Sequence, residues 1–277
     1  MTLRVARDEI VVVIPAYRDR LSTVDRHALR QHAAFLAGYP VRVVAPTGLA
    51  LPAPLDGFPV ERFAPGYFAG ISGYNALMLS PEFYRRFERF RYLLVYQLDA
   101  IVLCDRLQEF CTLGYDYIGA PWFHDPERPE SGLFLAGNGG LSLRRIETFQ
   151  RVLQSPRYTT GWPPLNVLRI LGSDFLVGWS EPWARGMARL KVARRARHGV
   201  SRYLETTRWN EDSFWSTTAQ VFLPEYRPAP AEVGLDFAFE RHPRTCHSLN
   251  GGRLPFGVHA WDRYDPDFWR PHLAPLT

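Results

Sequence analysis

The chain has 277 residues, of which 46% are hydrophobic and 22% charged, enough apolar sequence for one large α/β domain or two small ones. Three cysteines are too few for a disulfide framework and indicate a reducing compartment. The formal net charge of +5 is exceeded by seven cations between Arg185 and Arg202. That basic run suits an anionic membrane surface or a solvated helix face, whereas nucleic-acid binding is disfavoured because no aromatic residues lie between the cations.

Predicted strands and helices alternate through the first part of the chain. Continuous β-branched or apolar runs predict strands at residues 9–14, 41–44, 60–63 and 92–98. Helical patterns cover residues 23–36 and, in two pieces, residues 72–90, where Ser80 and Pro81 form a helix start. Such alternation predicts a mostly parallel sheet flanked by helices.

The second part of the chain gives weaker patterns. Asp105 is predicted to cap a short helix that ends near Cys111, with Gly114 behind it. Short strands are predicted at 117–119 and 139–143, and helices at 144–153, 162–200 and 211–218, with irregular structure from residue 255. The amino terminus lacks the apolar core of a signal peptide, and no apolar run reaches the roughly 20 residues of a membrane span. We therefore expect a cytoplasmic protein, with peripheral contact at the inner face of the membrane left open.

A carboxylate follows the strongest predicted strand. In an extended chain, Gln97 and Asp99 point to the same face. Ligands of α/β sheets lie at the carboxyl ends of strands, and a carboxylate there needs water, a metal or a donor. Asp99 is therefore a candidate metal ligand, and the alternative is a cap on the next turn.

The segment Tyr-Gln-Leu-Asp-Ala around Asp99 resembles the Asp-x-Asp motif of GT-A glycosyltransferases. The resemblance implies that Asp99 binds Mn²⁺ or Mg²⁺ on the diphosphate of a sugar donor and that Gln97 contacts the ribose or the sugar. Gln97 replaces the first acid of the motif and is a poorer metal ligand. The implied fold is a single Rossmann-like domain over residues 1–277, with a donor-binding half at about 9–120 and an acceptor half at about 121–270.

Three glycines surround Asn138 in the segment Gly-Asn-Gly-Gly before a predicted strand. Such a backbone suits close approach to a ligand, and the alternative is an ordinary turn. The segment resembles the Gly-Gly-Phe-Ser-Leu-Arg type of sequence in GT-A enzymes. This resemblance implies that Asn138 contacts sugar hydroxyls and that Gly139 and Gly140 leave room for the sugar.

Two adjacent acids, Glu211 and Asp212, stand at a predicted helix start, where acids also favour the helix dipole. Inverting GT-A enzymes often carry such a pair, which implies a general base that takes the proton of the attacking hydroxyl. The expected base is Asp212, with Glu211 as the alternative. The flanking Trp209 and Trp215 are expected to stack on acceptor sugar.

A late histidine completes the resemblance. His259 occupies the place in chain order where many GT-A enzymes hold a metal-binding histidine, and imidazole is a common ligand beside carboxylates. By the same resemblance, nucleotide contacts are expected from the end of the first strand and from one later segment. The residues concerned are Pro15, Ala16, Tyr17, Arg18, Tyr74 and Asn75.

The order of these motifs matches the GT-A order over roughly residues 9–270. The segments at 92–102, 137–144, 210–215 and 255–261 are similar to a bacterial and fungal family classed as a domain of unknown function with a presumed glycosyltransferase role. The resemblance implies transfer from a nucleoside-diphosphate sugar, most readily a UDP-sugar, to a glycan or lipid-linked acceptor in surface polysaccharide synthesis. The alternative function is a non-catalytic carbohydrate-binding or scaffold protein, and the alternative enzyme class, nucleotidyltransferase, is disfavoured because residues 14–23 contain no glycine.

Overall fold

A six-stranded sheet forms the centre of the molecule. The computed structural model describes residues 4–155, 200–206 and 210–273. The sheet contains β1 (Ile10–Pro15), β2 (Val41–Pro46), β3 (Val60–Phe63), β4 (Tyr92–Tyr96), β6 (Tyr117–Gly119) and β9 (Leu141–Arg145), in the order β3-β2-β1-β4-β9-β6. Only β9 runs antiparallel to its neighbours in this sheet. The predicted mostly parallel α/β sheet is therefore confirmed.

Helices cover both faces of this sheet. They are α1 (Thr23–Phe35), α2 (Gly70–Met78), α3 (Pro81–Arg85), α4 (Leu107–Thr112), α5 (Ile146–Leu153) and α6 (Val200–Thr206), then α7 (Glu211–Ser213), which continues through a π-helical turn (Phe214–Thr218) into α8 (Ala219–Phe222). Further helices are α9 (Ala231–Phe237), α10 (Pro243–Leu249) and α11 (Pro266–Trp269), and 3-10 turns occur at Arg7–Glu9, Leu55–Gly57, Pro65–Phe68 and Arg270–His272. No helix in the described ranges is both long enough and apolar enough to span a bilayer.

The core has one layer on each face of the sheet. Strand β1 is buried along its whole length, and its alternate residues enter opposite layers. Ile10, Val12 and Ile14 pack in the layer that contains α1, whereas Val11 and Val13 pack in the layer that contains α3 and α5. This two-sided burial explains why the run of β-branched residues identifies the strand.

Two smaller sheets were not predicted. A hairpin joins β7 (Pro121–Asp125) to β8 (Arg128–Ala136), and its Pro, Gly and charged residues resemble a loop in sequence. A second sheet has the order β10-β11-β5, with β5 (Ile101–Val102), β10 (Ala238–Phe239) and β11 (Gly257–Val258). Strands of two residues carry no periodic sequence signal, which is why this sheet was not predicted. The presence of β11 and α11 also corrects the expectation of irregular structure from residue 255.

Two local predictions are wrong. Asp105 does not cap α4, whose N-cap is Arg106 without a side-chain hydrogen bond. Asp105 instead pairs with Arg7 and accepts a hydrogen bond from the Tyr39 hydroxyl at 2.9 Å, so its oxygens are already engaged. Arg144 belongs to β9 rather than to the following helix, since it pairs with Leu93 and Tyr117 in the sheet.

Several predictions fall on residues outside the described ranges. They are the helix at 162–200 except its last residue, the basic run as far as Arg197, and Trp209. The helical prediction at 211–218 is confirmed, although part of that segment has π-helical geometry.

Candidate functional site

A cleft of about 770 Å³ opens at the carboxyl ends of β1 and β4. All of the predicted donor-binding, metal-binding and base residues line it. They are Pro15, Ala16, Tyr17, Arg18, Tyr74, Asn75, Gln97, Asp99, Asn138, Gly139, Gly140, Glu211, Asp212 and His259. Trp215, the predicted acceptor-stacking residue within the described ranges, is not part of this lining. Residues from six separate segments therefore meet in one place, as the rule for α/β sheets predicts.

A turn brings Gln97 and Asp99 together. Strand β4 ends at Tyr96, earlier than predicted, and the Ala100 N–H donates to the Gln97 carbonyl at 2.9 Å. The two side chains therefore share a side because of this turn and not because of extended alternation. Asp99 lines the cleft and contacts His259, so it does not merely cap the next turn.

His259 joins these two residues. Its Nε2 lies 3.4 Å from Asp99 Oδ1 and 3.2 Å from Gln97 Oε1. On the other side of the ring, Nδ1 lies 3.3 Å from Glu240 Oε1. Glu240 accepts from Nδ1–H and so orients the ring with Nε2 towards Asp99 and Gln97, which is the usual support of a metal-binding histidine; a metal ion would take the place of the Nε2 proton.

The small sheet produces this arrangement. Val258 pairs with Phe239 on one side and with Ile101 on the other, so the next residue, His259, lies beside Glu240 and close to Asp99. The His259 N–H also donates to the Phe239 carbonyl at 2.9 Å. Backbone pairing thus fixes three side chains that are far apart in sequence.

The charges of Asp99 and Glu240 interact strongly with the His259 ring. Burial alone would lower the pKa of His259, but the hydrogen bonds and charges of Asp99 and Glu240 outweigh it and raise the pKa to about 9. Burial acts to raise the pKa of Asp99, and the hydrogen bond and charge of His259 outweigh it and lower that pKa. These anionic groups therefore attract positive charge to the Nε2 side of the ring.

The donor set fits a divalent ion shared with a ligand. The described residues contain no cluster of three or more His, Cys, Asp or Glu side chains arranged to hold a metal. Asp99 and His259 would supply two strong ligands and Gln97 an amide oxygen, and phosphate oxygens and water commonly complete such sites.

The glycine segment leaves space for protein side chains. A Cβ on Gly139 would overlap the Glu211 carboxylate, and a Cβ on Gly140 would overlap His259 Nε2. Asn138 is buried, and its Oδ1 accepts the Gly140 N–H at 3.0 Å. The glycines therefore allow Glu211 and His259 to approach β9; both also line the cleft, and the expected room for sugar stays a prediction.

Glu211 and Asp212 have different surroundings. Glu211 Oε1 accepts from Arg144 Nη2 at 2.8 Å, and both side chains are almost completely buried. Among the described residues, Asp212 accepts from the following residue alone, with Ser213 N–H at 2.7 Å and the Ser213 hydroxyl at 3.5 Å. Burial and the neighbouring charge of Glu211 raise the pKa of Asp212 to about 7. A carboxylate with this pKa can exchange a proton near neutral pH.

Trp215 does not contribute an aromatic surface to the cleft. Its ring is fully buried and stacks on Phe149 at a centroid distance of 3.8 Å. The expectation that Trp215 binds acceptor sugar is therefore wrong, because the π-helical turn after α7 directs this residue into the core.

Sequence reasoning missed several residues in or beside the site, among them Arg144, Glu240 and the cleft-lining Arg20 and Arg263. Glu240 follows the buried strand β10 as Asp99 follows the end of β4, so an acid after an apolar run was an available signal. Arg144 had no such signal, because nothing in the sequence separates a buried arginine from a surface one.

Comparison with known families matches residues 57–259 to a family described as a protein of unknown function, DUF5672. No curated protein matches the chain. The matched range covers more than half of the chain and extends to His259. The chain therefore belongs to the DUF5672 family.

Proposed function

We propose that this chain is a GT-A-type glycosyltransferase that moves a sugar from a nucleoside-diphosphate sugar, with a UDP-sugar as the expected donor, to a glycan or lipid-linked acceptor. The observation that carries the proposal is the convergence of a metal-type pair, Asp99 and His259, and a separate carboxylate, Asp212, in one cleft at the strand ends. Surface polysaccharide synthesis in the cytoplasm, at or near the membrane, is the proposed setting.

The proposed chemistry needs a metal site and a separate carboxylate that acts as a base. Asp99, His259 and Gln97 would hold Mn²⁺ or Mg²⁺, which when bound offsets the charge of a departing diphosphate. Asp212 would take the proton of the acceptor hydroxyl. At the same time the acceptor oxygen would bond to the anomeric carbon, and the bond from that carbon to the diphosphate oxygen would break. A single displacement of this kind inverts the anomeric centre. A pKa near 7 lets Asp212 accept that proton at physiological pH.

The first experiment is calorimetric titration with UDP, GDP, CDP and dTDP, with and without Mn²⁺. Wild type, Asp99→Ala and the exposed control Asp267→Ala would be compared. We expect one nucleotide to bind in a Mn²⁺-dependent way to wild type and control, and not to Asp99→Ala. Absence of binding by every nucleotide under every metal condition would leave the carbohydrate-binding or scaffold function in its place.

The second experiment tests turnover with sugars on the nucleotide identified above. Asp212→Asn keeps the shape of the side chain and removes the base. We expect its turnover to fall by about 10²–10⁴-fold while nucleotide binding is retained. Turnover by Asp212→Asn equal to that of wild type would remove Asp212 from the mechanism.

A further inference from the structure

The charged side chains that line the cleft are unevenly distributed. Arg18, Arg20 and Arg263 are exposed, as is Asp262, and we call this exposed part of the lining the mouth. The part here called the inner end consists of Tyr74, Asn138, Glu211 and Asp212, which are buried or half-buried. The mouth therefore offers net positive charge to a ligand, and the inner end offers carboxylates.

The cation nearest to the inner end, Arg144, has no free donor direction toward a ligand. Its guanidinium donates to Glu211 at 2.8 Å, to the Tyr84 hydroxyl at 3.0 Å and to the Ser142 hydroxyl at 3.0 Å. The side chain is completely buried. His259 is likewise engaged, by Asp99 and Glu240. A negative group bound at the inner end would therefore lack a counter-ion among the described residues.

Two polar atoms at the inner end are poorly paired. Glu211 Oε2 is buried and has no hydrogen-bond partner in the described part of the chain, and the buried Tyr74 hydroxyl has no hydrogen bond of normal geometry there, although Gln97 lies close enough to interact with it. Leaving such atoms unpaired costs about 1–3 kcal/mol each, more for a charged oxygen. A ligand that donates hydrogen bonds would remove this cost.

We infer that the inner end is a subsite for an uncharged or amino-bearing sugar, that it excludes sugars carrying a carboxylate, and that Glu211 is the residue that determines this specificity. The inference deepens the proposed function and rests on it, since it describes the sugar held beside Asp212. Hydroxyl or ammonium groups would donate to Glu211 Oε2. A uronic acid would place a third carboxylate beside Glu211 and Asp212, and such like-charge contact without a counter-ion is strongly unfavourable.

The test uses sugar pairs that differ only by a carboxylate. UDP-glucose would be compared with UDP-glucuronate, and UDP-galactose with UDP-galacturonate, by calorimetry with Mn²⁺ and with UDP as reference. Methyl glucosides, methyl galactosides and their uronates would be compared by ligand-observed NMR, with and without UDP. We expect the neutral member of a pair to bind about tenfold tighter or more, a difference of about 1.4 kcal/mol.

The UDP-sugar and methyl-glycoside experiments together show whether the subsite holds the donor or the acceptor sugar. They also test the subsite separately from the proposed function. A neutral preference among the UDP-sugars assigns the subsite to the donor, and one confined to the methyl glycosides assigns it to the acceptor. If UDP binds and neither series prefers the neutral sugar, the inference is overturned and the proposed function stands. If no nucleotide binds, the proposed function fails, and the methyl glycosides alone decide the inference by the same criterion.

Two variants identify the residue responsible. In Glu211→Gln the amide oxygen can still accept from Arg144 while the amide N–H replaces Oε2, so we expect the neutral preference to be lost or reversed. Tyr74→Phe keeps the ring and removes one hydroxyl, and should weaken neutral sugars about threefold to tenfold without improving uronates. The exposed Glu147→Gln is the control for charge. If both site variants keep the wild-type preference, Glu211 does not determine specificity; if Glu211→Gln does not fold, Tyr74→Phe alone decides.

Discussion

Two arginine–carboxylate pairs border the same cleft and differ in burial. At the mouth, Arg18 Nη2 lies 3.0 Å from Asp25 Oδ1, and the two side chains are 52% and 3% exposed, so this pair is open to water on the arginine side alone. At the inner end, Arg144 Nη2 lies 2.8 Å from Glu211, and the two side chains are 0% and 4% exposed. Nearly equal distances therefore hide very different environments.

The difference indicates which wall of the cleft is fixed. A buried pair is expensive to break because the remaining partner keeps an uncompensated charge, whereas an exposed pair is screened by water. Tyr17 and Ile71, which also line the cleft, are 57% and 76% exposed. The inner wall therefore holds catalytic-type groups in one geometry, and the mouth can adjust to a ligand.

The largest effect is expected from breaking the inner pair. Arg144→Met leaves Glu211 as a buried, unpaired charge and should lower the free energy of unfolding by about 3–5 kcal/mol. Urea unfolding measures this loss, and the double variant Arg144→Met/Glu211→Gln should recover part of it. The adjacent Arg145, whose side chain is 31% exposed, provides the control Arg145→Met, with an expected loss of no more than about 1 kcal/mol. Equal losses in the two single variants would contradict the comparison.

A second effect concerns Asp212 and depends on pH. Its pKa of about 7 in the folded protein exceeds the value of about 3.9 in an unfolded chain, so the folded state favours the protonated form. Stability is therefore lost as the pH rises from about 4 to 7 and stays lower above 7. Asp212→Asn removes this penalty and should stabilise the protein by about 2–4 kcal/mol at pH 8 and by less at pH 5. Denaturant unfolding at both pH values checks this, and a gain that is equal at the two pH values would exclude the titration of Asp212 as its cause.

A third prediction concerns the fit between β9 and His259. Gly140→Ala would push Cβ into Nε2 and displace the ring from Asp99. We expect Mn²⁺-dependent nucleotide affinity to fall about tenfold or more, as is common when the support of a metal-binding histidine changes. In the control Gly57→Ala the new Cβ meets no atom within 4 Å, and affinity should stay at the wild-type value. Wild-type affinity in Gly140→Ala would mean that the ring position is not critical.

The smallest effect on stability is expected at the mouth. Asp25 also accepts the Ser22 N–H at 2.7 Å in the cap of α1, so it keeps a partner when Arg18 is removed. Arg18→Ala should therefore cost less than about 1 kcal/mol of unfolding free energy. Nucleotide affinity should fall about threefold to tenfold through loss of a cation near phosphate. A loss of stability as large as that of Arg144→Met would show that both walls are equally rigid.

Two strands were predictable because they are buried on both faces along their whole length. Strands β1 and β4 are apolar runs bounded by proline or polar residues, and their predicted starts lie within one residue of the observed ones. The positions of Asp99 and Asp212 followed from such boundaries and from motif order. Helix α3 followed from its cap, since the Ser80 hydroxyl accepts the Phe83 N–H at 3.0 Å.

The remaining features depend on tertiary contacts that no local pattern records. Glu240 reaches His259 only through the register of two strands of two residues each. Arg144 appeared to begin a helix, but its pairing in β9 buries it beneath Glu211. Trp215 could face a ligand or the core with equal justification in sequence, and the π-helical turn that starts at Phe214 has no sequence signature.

The β10-β11-β5 sheet determines when, during folding, the candidate metal pair forms. Asp99 and His259 are separated by most of the chain, and they meet only after β11 has paired with β5. Contacts between such distant segments form late, because closing a long loop is entropically costly. A chain synthesised only as far as residue 250 could contain every strand of the large sheet and still lack half of its candidate metal pair. Under the proposed function, the protein would therefore bind its donor only after the segment that contains β11 and His259 has packed against β5.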